Sequence, residues 1–147
     1  MFKHILLPTD GSVLAAKAIS AGVALAKEMG ASVTAYYAIE ALPARLHTEG
    51  ARLNANLIAE LDRRAHETAE QSVGEVRRAA AAAGVPCDTV IDQLVAPYRG
   101  IIDAATEKKC DVVFIASHGY SGIKELLLGS VTHKVLAHSK IPVLVFR

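Results

Sequence analysis

Five short apolar segments alternate with amphipathic segments along this chain, and the alternation limits its fold more than any other feature. The apolar segments hold many β-branched residues, as buried strands do, whereas the others repeat apolar residues at steps of three and four. Strands that alternate with helices form a parallel sheet with right-handed crossovers and helices on both faces. The predicted strands are His4–Leu7, Ser32–Ile39, Val85–Ile91, Asp111–Ala116 and Ile141–Phe146, and the predicted helices are Leu14–Met29, Arg52–Ala83, Tyr98–Lys108 and Gly129–His138.

Several residues mark where these helices should begin and end. Ser12 can cap the first helix, and Gly30 can end it, since glycine readily takes the left-handed conformation that ends helices. Gly84 should end the long second helix in the same way, and Gly74 is a point where that helix could be interrupted. Glu40 to Gly50 contains Pro43 and has no clear period, so we predict a loop there.

Size and composition favour one α/β domain, residues 1–147. The 147 residues are 52% apolar, which fits a sheet buried on both faces. With 16 basic and 15 acidic residues scattered along the chain, no basic surface for nucleic acid is expected. No apolar run approaches the roughly 20 residues of a membrane span, and no signal peptide is recognisable. We therefore expect a cytoplasmic protein whose Cys87 and Cys110 are free thiols, a disulfide being the less favoured alternative.

The fourth predicted strand is followed by a loop that holds Gly119, Gly122 and Gly129 and leads into the last helix. Each glycine could merely relieve backbone strain. A buried strand, a glycine-bearing loop and a helix start together predict a phosphate site, because the first N–H groups of a helix are unpaired and suit an anion. Val131 and Thr132 would supply such groups, and the Ser130 hydroxyl could cap the helix or donate to phosphate.

Asp10 follows the first strand, and it is the acidic residue that we expect beside this loop. Ligands of open parallel sheets bind beyond the carboxyl ends of the strands, where the strand order reverses, and we place the first and fourth strands there. The Asp10 carboxylate would suit a ribose hydroxyl or a metal on the phosphates, although an Asp-Gly-Ser turn alone could explain it. Lys124 and Glu125 in the loop are expected to be solvated, with contact to phosphate as the alternative for Lys124. The charges of the long helix, including Arg63 and Arg64, are also expected to be solvated.

The chain lacks the common catalytic nucleotide motifs. It has no GxxxxGK[ST] sequence, no GxGxxG after the first strand and no GxSxG. His118 is the only candidate base near the loop, and the sequence shows no partner for it. His133 and His138 are five residues apart, which does not suit a metal site on one helical face. We therefore predict no metal-binding histidine and no fast enzyme.

Three segments carry a resemblance to a known family, the universal stress proteins, over essentially the whole chain. They are KHILLPTDGS, SHGYSGIKELLLGSVTHKVL and SKIPVLVFR. The resemblance implies a five-stranded parallel sheet of order 3-2-1-4-5. ATP-binding members of that family carry a glycine, two residues, a second glycine, nine residues, and then glycine with Ser or Thr. This chain has Ala116 at the first position, then Gly119 and Gly129-Ser130.

The resemblance also implies a ligand, a site and an assembly. The ligand would be ATP, or AMP or ADP, with Mg²⁺ as a companion of the phosphates. The C-terminal strand, Val143 to Phe146, would pair with its copy in a homodimer, and its apolar edge independently favours pairing. The implied site residues are Pro8 and Asp10 near the ribose, the Ala38 backbone at the adenine edge, and Ala116, Gly119, Gly129, Ser130 and Val131 around ribose and phosphates.

Two functions remain open at the level of the sequence. The first is a nucleotide-binding stress-response regulator or sensor in which hydrolysis is slow or absent. The second is an interaction or chaperone-like protein that binds no nucleotide, and Ala116 is the residue that favours it. Alanine keeps a backbone N–H and a small side chain, so we expect nucleotide binding to be tolerated. A positive φ at residue 116 would cost alanine about 1 kcal/mol and would weaken nucleotide binding.

Overall fold

A computed structural model of the chain describes residues 1–41, 55–119 and 128–147. The five strands form one parallel sheet in the order β3-β2-β1-β4-β5, which confirms the predicted fold class. The expected loop around Pro43, the helix start at Arg52, and Gly122, Lys124 and Glu125 lie outside the described residues. The elements are β1 (His4–Pro8), α1 (Val13–Met29), β2 (Ser32–Glu40), α2 (Ala55–Ala83), β3 (Cys87–Leu94), α3 (Pro97–Glu107), β4 (Val112–Ala116), α4 (Ser130–His138) and β5 (Val143–Phe146).

Each face of the sheet buries its own apolar cluster. Successive side chains of a strand point to opposite faces, so Ile5 and Leu7 join one cluster and Leu6 the other. The first cluster lies under α1 and α2, and the second lies under α3 and α4. The helices therefore cover both faces, as predicted. The first cluster includes Val23, Val33, Val73 and Val76, and the second includes Tyr36, Ile101, Val113 and Val135.

The predicted helix ends at Ser12, Gly30 and Gly84 are confirmed. The end of α2 also shows that β3 begins later than predicted. Ser12 caps α1 by accepting from the Ala15 N–H at 3.2 Å, and Gly30 follows α1 in the left-handed conformation. After α2, Gly84 has a φ of 73° and the Val85 N–H donates to the Ala80 carbonyl at 2.9 Å. This bond belongs to the helix end. Val85 therefore cannot begin the third strand, which starts at Cys87 and runs to Leu94.

The long helix differs from the sequence prediction in two respects. It continues through Gly74 without interruption. Its apolar face is buried only in its C-terminal half, where Val73 and Val76 are inaccessible, whereas Leu57 and Leu61 are about half exposed, at 46% and 45%. A helix of 29 residues is about 44 Å long. The N-terminal part of α2 therefore extends past the sheet, on the side where the strands end.

The strands end at different heights along their carboxyl edge. β1 pairs with β2 only as far as Pro8 opposite Tyr36, whereas β2 and β3 stay paired up to Glu40 opposite Leu94. The chain leaves β1 toward β2 on one side, and β4 lies on the other side of β1. The strand order therefore reverses between β1 and β4, which leaves a crevice at that end.

The two cysteines are free thiols, Cys110 buried and Cys87 partly exposed. Burial raises the pKa of the Cys110 thiol to about 11, so this thiol stays protonated at neutral pH. Burial also raises the pKa of Cys87. Within the described ranges, the helices are all too short or too polar to cross a membrane.

Candidate functional site

A cavity of about 640 Å³ opens at the carboxyl edge of the sheet, between the ends of β1 and β4. Its size is within the range of small-molecule sites. Every residue that the sequence prediction assigned to the site lines this one cavity. They are Pro8, Asp10, Ala38, Ala116, Gly119, Gly129, Ser130 and Val131.

The N-terminus of α4 forms one end of the cavity. Gly129 is the N-cap, and no side chain of the described residues caps this helix. The first bond across the cap runs from the His133 N–H to the Gly129 carbonyl at 2.9 Å. The N–H groups of the first three helical residues, Ser130 to Thr132, therefore have no backbone partner in the described part of the chain. With the positive end of the helix dipole, they favour an anion.

Gly119 and Gly129, the two glycines at this end of the cavity, allow chain segments to approach each other closely. They do not provide an unusual backbone conformation. Neither Gly119 nor Gly129 has a positive φ, so relief of strain is not their role. A Cβ at Gly119 would overlap the Asp10 carboxylate. A Cβ at Gly129 would lie 3.0 Å from the His118 Cα and 3.4 Å from the Ser117 carbonyl oxygen. Any side chain at either position would therefore displace a wall of the cavity.

Asp10 lines the cavity, held by the turn that follows β1. The Ser12 N–H donates to Asp10 Oδ1 at 2.9 Å, and the Gly11 N–H donates to Thr9 Oγ1 at 3.1 Å. The Thr9 N–H donates to the Tyr36 carbonyl at 2.9 Å, which ties the turn to β2. The Asp-Gly-Ser turn, which the sequence offered as a purely structural explanation of Asp10, is present. It also holds the carboxylate against Gly119, beside the helix N-terminus.

The backbone of Ala38 borders the other end of the cavity. In a parallel strand, alternate residues direct their N–H and C=O groups to opposite neighbours. The Tyr36 carbonyl faces the β1 side, where it accepts from Thr9, so the N–H and C=O of Ala38 face that side too. β1 has ended at Pro8, and no described residue pairs with Ala38 there. One donor and one acceptor thus border the cavity about two residues beyond the end of β1.

Ala116 is the last residue of β4, opposite Phe146. It has no positive φ, so the conformational cost that would have weakened ligand binding does not arise. Its carbonyl accepts from the buried Thr132 Oγ1 at 2.8 Å, which joins the first turn of α4 to the end of β4. The conformation that only glycine adopts easily is not required at this position.

The cavity has two further walls that sequence reasoning missed. Arg64, Ala65 and Thr68 of α2 lie on one side, and Pro97 and Ile101 of α3 on the other. The only sequence signal was the apolar repeat that contains Ala65 and Ile101, and it does not distinguish a cavity wall from a core. The remaining lining residues include Thr9, Ala15, Tyr36, Tyr37, Ile39, Glu40, Ile115, His118 and Thr132.

Arg64 and Glu60 of α2 form an ion pair beside the cavity. The Arg64 Nε donates to Glu60 Oε1 at 2.6 Å, and its side chain is 69% exposed, so it is solvated as expected although it borders the cavity. Hydrogen bonds from Arg63 and then Arg64 lower the pKa of Glu60.

Burial, reinforced by Asp92, raises the pKa of Tyr36, whose hydroxyl stays neutral. In the described residues, no group of three His, Cys, Asp or Glu side chains could hold a metal ion.

The fold and cavity together define an open parallel α/β protein with a cavity of small-molecule size at the point where the strand order reverses. A family model described as "Universal stress protein family" matches residues 1–147, and the chain belongs to this family.

Individual relatives agree with this assignment. The universal stress protein YxiE of Bacillus subtilis is 33% identical, with all of both chains covered. The structure of protein MJ0577, from Methanocaldococcus jannaschii, matches with a TM-score of 0.81 and 28% identity, covering 99% of this chain and 95% of that one. A universal stress protein in complex with cAMP shares the fold, with a TM-score of 0.70, 24% identity, and 99% and 97% of the two chains covered.

Proposed function

We propose that this protein binds an adenine nucleotide, ATP or else AMP or ADP, in the cavity between β1 and β4. One observation carries the proposal: the cavity brings together three unlike groups that correspond to the parts of a nucleotide. The unpaired N–H groups of α4 suit phosphate, the Asp10 carboxylate suits ribose hydroxyls, and the free donor and acceptor of Ala38 suit the edge of a base.

The remaining site residues have supporting roles in this proposal. Gly119 and Gly129 leave room for the ribose and phosphates, and Pro8 and Ala116 border them as the last residues of β1 and β4. Val131 and Ser130 supply backbone N–H groups, and the exposed Ser130 hydroxyl can donate to a phosphate oxygen. Any Mg²⁺ would come with the phosphates of ATP.

The proposed role is that of a regulator or sensor in the stress response. Ligand occupancy would change the surface around the helix N-terminus, and hydrolysis would be slow or absent. A solved relative that shares this fold is a complex with cAMP, which supports a nucleotide as a ligand the fold can accommodate. The two free thiols support a reducing compartment, and we propose the cytoplasm.

Thermal denaturation with ATP and Mg²⁺ tests the proposal. A ligand that binds only the folded state stabilises it by about 2.7 kcal/mol at 100 times its Kd, which raises the Tm by roughly 5–10 °C in a domain of this size. Asp10→Asn keeps an oxygen for the Ser12 N–H but removes the charge, and we expect at least about tenfold weaker binding. Asp111→Asn is the matched control, because Asp111 accepts from the Lys3 and His4 N–H groups at the opposite end of the sheet.

The outcomes distinguish the two functions that the sequence left open. A Tm that does not change at millimolar ATP, AMP and ADP rejects nucleotide binding and leaves the interaction or chaperone-like function as the alternative. Equal ligand-induced shifts in Asp10→Asn and wild type would remove Asp10 from the site. A phosphate-release assay on the same sample measures whether bound ATP is hydrolysed at all.

We also propose a homodimer formed through the edge strand β5. Within the described residues β5 pairs only with β4, and its sequence, Val143 to Phe146, contains no charged residue. Leu144 is 38% exposed there, and Leu136 of the adjoining α4 is 40% exposed. An uncharged, partly apolar open edge is a surface that proteins usually cover or pair.

A further inference from the structure

His118 is a titratable side chain at the helix end of the cavity that the proposed function leaves without a role. It follows β4 directly and lines the cavity. Its Nδ1 lies 3.0 Å from Oγ of Ser117, a residue that is only 5% exposed. The sequence showed no partner for this histidine, and the structure supplies one. The ring is therefore oriented by a buried hydroxyl rather than left to rotate freely.

The position of His118 relative to α4 is set by the backbone. The Gly129 N–H donates to the Ser117 carbonyl at 2.8 Å, so the N-cap of α4 is bound to the residue that precedes His118. A Cβ at residue 129 would lie 3.0 Å from the His118 Cα, so a side chain there would have to push the His118 backbone away by a few tenths of an ångström. The His118 side chain thus begins beside the N-cap of α4.

We propose that Nε2 of His118 donates a hydrogen bond to the phosphate bound at the N-terminus of α4, and that the protonated ring binds phosphate-bearing nucleotides more tightly than the neutral ring. This inference rests on the proposed function, and it adds an ionisable side-chain donor to the backbone N–H groups and the Ser130 hydroxyl at the phosphate site. In the described part of the chain, the imidazole has Ser117 as its hydrogen-bond partner and Nε2 has none.

The contact with Ser117 is compatible with both charge states of the ring. In the neutral ring the Ser117 hydroxyl can donate to Nδ1, which leaves the proton on Nε2. In the charged ring Nδ1–H can donate to the same oxygen, and Nε2–H stays available to the ligand. Hydrogen bonds from a charged donor to an anion are roughly twice as strong as neutral ones. Affinity should therefore be higher at pH 5.5 than at pH 8.

Other charged groups near the ring must be separated from its effect. Asp10 adjoins Gly119, His133 lies in α4, and Arg147 follows Phe146, whose carbonyl accepts from the Ser117 N–H. His133 is the other histidine among them, and it is therefore the group to control. A terminal phosphate itself gains a proton near pH 6, and this opposes the histidine effect. The informative quantity is therefore the difference between wild type and a histidine variant at each pH.

Calorimetric titration of AMP, ATP and adenosine between pH 5.5 and 8 tests the inference. For AMP and ATP, we expect His118→Gln to bind about tenfold more weakly than wild type at pH 5.5, with a gap of about threefold or less at pH 8. Adenosine, which has no phosphate, should show no gap that depends on pH. His133→Gln, which changes an exposed histidine of α4, should follow the wild-type profile.

Contrary outcomes fall into distinguishable groups. Parallel pH profiles for wild type and His118→Gln, or a pH-dependent gap that adenosine shares, overturn the role of His118 while nucleotide binding stands. Failure of wild type to bind any nucleotide at any pH overturns the proposed function as well. Ser117→Ala provides a second variant if His118→Gln folds poorly: it should weaken AMP binding by a smaller factor, and unchanged AMP binding in it would contradict an oriented ring.

Discussion

At the scale of single residues, four glycines occupy two kinds of position. Gly30 and Gly84 end helices with a positive φ, whereas Gly119 and Gly129 only make room for neighbouring chain. Lys109 departs from this pattern. It occupies after α3 the place that Gly30 and Gly84 occupy after α1 and α2, with a φ of 55°, and it is the one non-glycine residue of the described ranges with a positive φ.

Replacing Lys109 with glycine should stabilise the protein. The left-handed conformation costs a residue with a Cβ about 1–2 kcal/mol, and the greater freedom of glycine in the unfolded chain offsets about half of that. We expect Lys109→Gly to raise the free energy of unfolding by about 0.5–1 kcal/mol in urea denaturation. Gly84→Ala makes the reverse change at a position with open space around it, and should lower that energy by a similar amount. Equal stability of Lys109→Gly and wild type would contradict this account.

At the scale of elements, the site depends on how α4 is attached to β4. Two hydrogen bonds make the attachment: the Gly129 N–H donates to the Ser117 carbonyl, and Thr132 Oγ1 donates to the Ala116 carbonyl. Thr132 is buried, at 3% exposed, so its bond is protected from water. The first turn of the helix is therefore held in place from inside, which orients its N–H groups before any ligand arrives.

Thr132→Val tests this attachment, since it removes the hydroxyl and changes the side-chain shape little. Leaving the buried Ala116 carbonyl without its partner should lower the free energy of unfolding by about 1–2 kcal/mol and weaken nucleotide binding. The matched control is Thr106→Val, because the exposed Thr106 Oγ1 makes the same type of bond, to the Ile102 carbonyl at 2.9 Å within its own helix. A control as destabilised as Thr132→Val in urea denaturation would show that burial of the bond is not what matters.

At the scale of the whole molecule, the two edges of the sheet differ in character. β3 carries Asp88 and Asp92, and charged residues discourage pairing with another chain. β5 carries only apolar residues. The Ser117 N–H donates to the Phe146 carbonyl, and the Val113 N–H donates to the Pro142 carbonyl, so even-numbered residues face β4. The N–H and C=O groups of Val143 and Val145 are therefore directed to the open edge.

Val145→Pro should dissociate the proposed homodimer while the monomer stays folded. Proline at residue 145 removes an N–H from the open edge and no bond from the ladder with β4. Ile91→Pro is the matched control. The Pro86 and Leu94 carbonyls accept from N–H groups on the β2 side, so the N–H and C=O of Ile91 face outward on the opposite edge. Sedimentation velocity should show a dimer for wild type and Ile91→Pro and a monomer for Val145→Pro. A wild type that is monomeric at every concentration, or a dimer that survives Val145→Pro, would place any self-association elsewhere.

Local sequence was sufficient for the elements. Apolar periodicity and turn residues depend on neighbours a few positions away, so they predicted the strands and the helices, including the start of α4 after Gly129. One error was local too: Val85 was assigned to a strand because its N–H bond to Ala80 cannot be seen in its hydropathy. The alternation of strands and helices then limited the topology, because right-handed crossovers leave few arrangements.

The sequence named Asp10 and Ala38 as neighbours of the predicted loop before α4, but only the tertiary structure decided how each of them borders the cavity. Gly119 lacks a side chain because Asp10 approaches it, Ala38 presents free backbone groups because β1 stops earlier than β2, and Arg64 borders the cavity because α2 extends past the sheet. Each of these facts depends on the relative lengths and heights of segments that are distant along the chain. Periodicity reports which face of a segment is buried, and it carries no information about how far one segment extends beyond another.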